Sequence, residues 1–230
     1  ITEEFKIARL DNDWKNCKLL GSLLDTEKDI NRRKALTINA MKDLKHLFKS
    51  HRLNDITKIR IFEAYISSIF LYNSELWSTN ETINKSIDAF QRRQLRYALN
   101  ILWPKKISNI ELEKKTKICP WSETIQKRRL TWLGHLLRLP TETPARQALD
   151  EALSPSKRPK GRPKTTWISC IKKDLTELEI ITKEETKSNI TLLKRLVELT
   201  ENRTNWKTCV GRTISVNRKM RQTELINLKI

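Results

Sequence analysis

Glycine is scarce in this 230-residue chain: four residues, beside seven prolines. So few breakers exclude a loop-rich or many-turned β architecture and favour long helices. Cysteine is also sparse. Cys17, Cys119, Cys170 and Cys209 stand far apart, with no CxxC pair, and the histidines His46, His51 and His135 complete no finger spacing. That pattern argues against a zinc site and for reduced thiols in an intracellular protein. Long apolar runs are absent: none approaches the 18 or so residues that a membrane-crossing helix requires. No secretory signal pattern is visible. An initiator Met is missing too, and the chain that starts at Ile1 reads as a piece of a longer protein.

Cations, in contrast, are abundant. The chain has 46 Lys+Arg against 27 Asp+Glu, a net +19 and a pI near 10.0. Between Ile101 and Lys173 there are 17 Lys/Arg and 6 Asp/Glu, so this third of the chain carries more than half of the net charge. Such a balance is the electrostatic footprint of a nucleic-acid binder. A membrane surface is anionic as well, but its peptides carry a strongly apolar opposite face that is not evident here. The charge peaks in residues 155–164, PSKRPKGRPK, where Lys157, Arg158, Lys160, Arg162 and Lys164 are interleaved with three prolines and one glycine and no acid. Proline disfavours helix and central strand, and five cations cannot share a core. The stretch is expected to be an extended, solvated arm. Two readings stay open for it. Lys160-Gly161-Arg162-Pro163-Lys164 has the layout of an AT-hook, whose Arg-Pro edge follows a narrow minor groove. It also fits a basic linker that touches phosphates without preference.

Hydrophobic periodicity gives the fold class: mainly α, with a short N-terminal β-hairpin, then a three-helix thumb-like bundle and a second helical, basic region. Phe5–Leu10 and Trp14–Leu24 read as the hairpin strands. A helix capped by Asp29 carries Ile30, Ile38, Met41, Leu44 and Phe48. A second, capped by Asn54 or Asp55, carries Ile56, Ile59, Phe62, Ile66 and Phe70. A third spans about Thr82–Leu102, with Ile83, Ile87, Phe90 and Leu95 inward and Gln91, Arg92, Arg93 and Arg96 on the polar side. Trp103-Pro104 stops it. Shorter helices follow over 108–117, 124–139, 145–153 and 166–178. In the one over 124–139, Lys127, Arg128, Arg129 and Arg138 are expected outside and Gly134 at a close helix crossing. Trp132 and Trp167 are either core residues or platforms for unpaired bases. The expected segmentation is 1–24, 25–103, 104–178 with the arm at 155–164, and a polar helical tail over 179–230.

Several of these segments resemble, in order, the C-terminal part of non-long-terminal-repeat, LINE-like retrotransposon reverse transcriptases. Lys18-Leu19-Leu20-Gly21-Ser22 is similar to the family's K-Y-L-G-S, with Leu19 at the aromatic position. Asp29-Ile30 with Arg32 or Arg33 resembles the D-I-x-x-R that follows, and residues 53–60 (LNDITKIR) resemble the next helix start. Residues 69–77 (IFLYNSELW) are similar to L-L-Y-G-x-E-x-W, with Asn73 for Gly. FQRRQLRYAL at 90–99, RLTWLGHLLRL at 129–139 and GRPKTTW at 161–167 resemble F-Q-R-R-x-L-R-x-I, R-x-x-W-L-G-H-x-x-R and G-R-P-x-x-x-W. After about Leu178 only Asn205-Trp206 matches, and loosely. The resemblance implies that 1–24 ends the palm with its primer-grip hairpin, that 25–103 is the thumb, and that the rest is a post-thumb nucleic-acid-binding region. It implies RNA, DNA and the remainder of the parent polymerase as partners, no membrane, and a nuclear location. The family's polymerase holds two metal ions on a palm Y-x-D-D pair and a further Asp. No such pair occurs in this sequence. No catalytic residue and no metal ligand are therefore assigned, and Mg²⁺ belongs only to a palm outside these residues. The expected binding residues are Arg92, Arg93, Arg96, Lys127, Arg128, Arg129, Lys157, Arg158, Lys160, Arg162 and Lys164, as phosphate contacts. The competing reading is a stand-alone, domesticated helical DNA-binding protein that uses the AT-hook-like arm.

Overall fold

A computed structural model describes residues 17–154 and 165–211. The chain is mainly helical, and the described residues start with a tight antiparallel hairpin, β1 (Lys18–Leu19) and β2 (Ser22–Leu23), in the register Lys18↔Leu23 and Leu19↔Ser22. Its two-residue turn, Leu20-Gly21, has φ +46° and +84°. Positive φ at both central residues is what a type I′ turn demands, and only glycine takes it without strain. The strand expected over Phe5–Leu10 lies outside the described residues. Within Trp14–Leu24, expected as the second hairpin strand, the described residues from Cys17 onward turn back on themselves at Leu20-Gly21.

Contacts divide the chain into two compact units. The first runs to Trp77 and takes in Thr82–Trp121; the second comprises Ser78–Glu81 and the chain from Ser122 onward. The first unit contains α1 (Thr26–Asp43), α2 (Lys45–Lys49), α3 (Asp55–Ile61), a π-helical turn at Phe62–Ser67, α4 (Ser68–Phe70), most of α5 (Glu81–Ala98) and α6 (Asn109–Thr116). Asp25, not Asp29, caps α1: its carboxylate accepts from Lys28 N at 2.9 Å. Asp29 is fully buried one turn inside the helix, where it serves the tertiary structure instead. Asn54 caps α3, and a capping box of Ser108 and Glu111 starts α6. Ile38 and Ile56, expected inward, are exposed.

The core of this unit is aromatic. Trp121 stacks on Phe70 at a 4.2 Å centroid distance and on Phe62 at 6.0 Å, while Trp77 meets Phe70 edge-on at 5.6 Å. Such pairs add about 0.5–1.5 kcal/mol each beyond the area they bury. Gln91, expected on the polar face, is buried as a brace: its Nε2 donates to Cys119 O at 3.0 Å and its Oε1 accepts from Trp121 N at 2.9 Å. Gln91 thus ties α5 to the chain at 119–121 within this unit. α5 ends earlier than its expected stop at Trp103-Pro104, at Ala98, and Asn100 turns the chain out with φ +55°.

The second unit holds α7 (Trp121–Leu137) beyond its first residue, α8 (Pro144–Leu153), α9 (Trp167–Glu177), α10 (Asn189–Glu201) and a helical stretch over 203–211. Leu130, Leu133, Leu137, Leu149, Ile171, Leu175, Leu192, Leu196, Trp206 and Val210 form one cluster. The tail, expected to be polar, thus supplies four of these core side chains. Pro144 opens α8 at its first position, where its missing N–H has no intrahelical partner to lose. Gly134 does sit at a close crossing: a Cβ there would run into the Trp206 indole, whose Nε1 donates to Leu130 O at 2.9 Å.

Candidate nucleic-acid interface

In the first unit three sequence segments converge on the hairpin turn. The Gly21 carbonyl accepts from Arg32 Nη1 at 2.7 Å and from Arg33 Nη2 at 2.6 Å. Tyr72 Oη donates to Leu20 O at 2.9 Å, and the Arg33 guanidinium lies 4.6 Å from the Tyr72 ring centroid. Behind the turn, Asp29 accepts from Leu23 N through Oδ1 and from Trp77 Nε1 through Oδ2, both at 3.0 Å. Arg33 is itself buried, and that burial lowers its pKa, with Asp29 opposing. The KLLGS, DINRR and IFLYNSELW segments are therefore one hydrogen-bonded assembly.

The basic residues of α5 take different surroundings. Arg96 is spent on structure: its Nη2 donates to Asn109 Oδ1 at 2.7 Å and to Ile107 O at 3.3 Å. Arg92 is half-buried and Arg93 exposed, and among the described residues neither forms an ion pair. Lys34 on α1, which sequence reasoning did not single out, lies near Arg93. Its Nζ reaches Ser86 Oγ at 3.0 Å and lies 5.9 Å from the Phe90 centroid, while the Arg93 guanidinium lies 5.4 Å from the same centroid. Burial first, and the nearby Arg93 charge second, lower the Lys34 pKa. Two like charges beside one ring with no acid between them form a site that an anion would relieve. Chain order hid this: Lys34 and Arg93 stand on different helices, and only the packing brings them together.

In the second unit Lys127 is exposed and Arg128 half-buried. The outward placement expected for Arg129 is corrected: it is 2% exposed. Its Nε pairs with Asp174 Oδ2 at 3.0 Å and its Nη2 donates to Thr79 Oγ1 at 3.3 Å. A guanidinium in that position faces a buried carboxylate rather than solvent. Burial pushes the Asp174 carboxyl up to about 6, with Arg129 and Gln126 opposing. The neighbouring Cys170 thiol, which contacts Thr79 O at 3.3 Å, is pushed up by its own burial. Arg138 donates to Thr200 O at 3.0 Å. Trp132 and Trp167 are packed against the leucine cluster, as core residues are. His135 is exposed, with its ring 5.2 Å from that of Trp132.

Lys157, Arg158, Lys160, Arg162 and Lys164 lie outside the described residues. Among the described residues no group of three or more His, Cys, Asp and Glu could hold a metal ion, and no helix is long and apolar enough to cross a membrane. No family model, curated protein or solved structure matches the chain.

Proposed function

We propose that these residues are the nucleic-acid-holding, non-catalytic part of a LINE-like retrotransposon RNA-directed DNA polymerase. The helical unit behind the hairpin acts as its thumb and the second unit as its post-thumb region. They grip template RNA, primer and target DNA by the phosphate backbone, while a palm elsewhere in the parent chain performs nucleotidyl transfer in the nucleus.

The observation that carries this reading is the cation pair Lys34 and Arg93 beside the Phe90 ring, with Arg92 next in sequence on the same helix, all three without an ion pair among the described residues. Backbone recognition needs cations at phosphate spacing and nothing more specific. The hydrogen-bonded assembly around Gly21 adds support, because segments that carry the family resemblance hydrogen-bond to each other there.

The test is binding of an RNA–DNA duplex by fluorescence anisotropy across a salt series. With about 6 phosphates contacted, log K falls against log salt with a slope near −5. The triple variant Lys34→Ala, Arg92→Ala, Arg93→Ala flattens that slope by about 2–3. A slope near zero for the natural sequence, or an unchanged slope in the triple variant, overturns the assignment. Primer extension on poly-A with Mg²⁺ is expected to give no incorporation by the isolated chain.

A further inference from the structure

Trp103 is 84% exposed. The other described tryptophans are not: Trp77, Trp121 and Trp206 are buried, and Trp132 and Trp167 are packed against the core of the second unit. Trp103 thus leaves a large flat aromatic surface open to a stacking partner. Leu102 beside it is 51% exposed, and Lys105 and Lys106 on its other side are exposed without an ion pair among the described residues.

The loop that carries Trp103 is tied down at both ends. Asn100 Nδ2 donates to Phe48 O at 2.8 Å, and Ile101 N to Arg96 O at 2.8 Å. At the far end Arg96 holds Ile107 O, and Ser108 caps α6. Pro104 fixes the backbone directly after the indole. The side chain is therefore presented on a restrained platform rather than a loose coil. No acid occurs between Asp88 and Glu111, a span that includes Arg92, Arg93, Arg96, Lys105 and Lys106. The partner suited to this surface has a flat apolar face and negative charge on either side of it.

We propose that Trp103 stacks on an unpaired base of a single-stranded nucleic acid, with Lys105 and Lys106 on the flanking phosphates. In a duplex both faces of every base are already stacked, so this contact favours an open strand. An apolar protein pocket with an acidic rim would accept Trp103 as well, and unchanged oligo(dT) affinity in Trp103→Ala would point there instead. The inference rests on the chain being a nucleic-acid binder and adds a strand preference that backbone contacts alone do not supply.

The experiment measures binding of oligo(dT) and of a duplex of equal length by the full chain at one fixed salt concentration. Trp103→Ala is expected to weaken oligo(dT) binding about 5- to 150-fold and duplex binding less than about twofold. Trp103→Phe retains most of the single-strand affinity. The Lys105→Ala, Lys106→Ala variant lowers the single-strand salt slope by about 1.4, as two lost phosphate contacts require. Thermal melting checks that each variant is folded. Unchanged oligo(dT) affinity in Trp103→Ala, or equal loss on both ligands, overturns the stacking role and leaves backbone binding standing. Failure of the natural sequence to bind either ligand overturns both proposals.

Discussion

Leu20 takes φ +46° at the head of the hairpin turn while its side chain is 84% exposed. A left-handed leucine costs about 1–2 kcal/mol relative to its relaxed backbone, and exposed apolar atoms return little of that. Leu20→Asn creates the Asn-Gly pair that such turns favour, and it is expected to stabilise the protein by about 1 kcal/mol in urea titration. Unchanged stability would mean that Leu20 makes a compensating contact. Asp174 gives a pH signature. Its folded carboxyl titrates near 6, and an unfolded one near 3.9. Between those values the folded state holds the extra proton, so stability falls as pH rises through that window and levels off above it. The wild-type advantage over Asp174→Asn is expected to shrink by about 2 kcal/mol from pH 4 to 7, by urea titration at each pH. A pH-independent difference would place the carboxyl in its ordinary range. At this scale the sequence is least informative. Nothing local marks Arg129 as buried, because its partner is 45 positions away in the chain. Gln91 reads as a surface glutamine until Cys119 and Trp121 are folded over it.

α7 crosses the helical stretch 203–211 at Gly134, and the crossing decides the sign of a common substitution. In an exposed helix Gly→Ala gains about 1 kcal/mol. Here the new methyl meets Trp206 Nε1 and Cδ1, and the indole is fixed by its bond to Leu130 O. Gly134→Ala is expected to destabilise by about 1–3 kcal/mol, measured by chemical denaturation; a gain would show that Trp206 can move aside. Most elements were legible from the sequence. Apolar residues at helical spacing located α1, α3, α5, α7 and α9 within a few residues, and Ser108 and Thr166 cap their helices through their own side chains. The errors came where a residue had a second, tertiary role. Asp29 resembles a cap because it is acidic and near a helix start, but its hydrogen bonds go to Leu23 and Trp77. Trp103 was legible only as the end of a helix, since nothing in its spacing says that the indole is left in solvent.

For the whole molecule, net charge +19 makes binding of polyanions strongly salt-dependent under the proposed function. The arm's contribution separates from that of the folded units through Arg162. As a linker meeting phosphates, the arm predicts that Arg162→Ala weakens A·T-rich and G·C-rich duplexes equally and slightly, with the salt slope reduced by about one. A loss of about 1–3 kcal/mol confined to A·T-rich duplex would establish the AT-hook instead. Competition between the two duplexes at fixed salt reads the difference directly. Within the first unit, the buried Asp29 joins the backbone of β2 to the indole of Trp77, 48 residues from it in the chain. A two-residue strand pair alone would open constantly in water. Tied in this way, the Leu23 amide cannot be released without also disturbing α1 and the aromatic core. It is therefore expected to exchange with deuterium at the slow rate of global unfolding rather than at the rate of a fraying edge, so the least regular element of the unit would report on the stability of its centre.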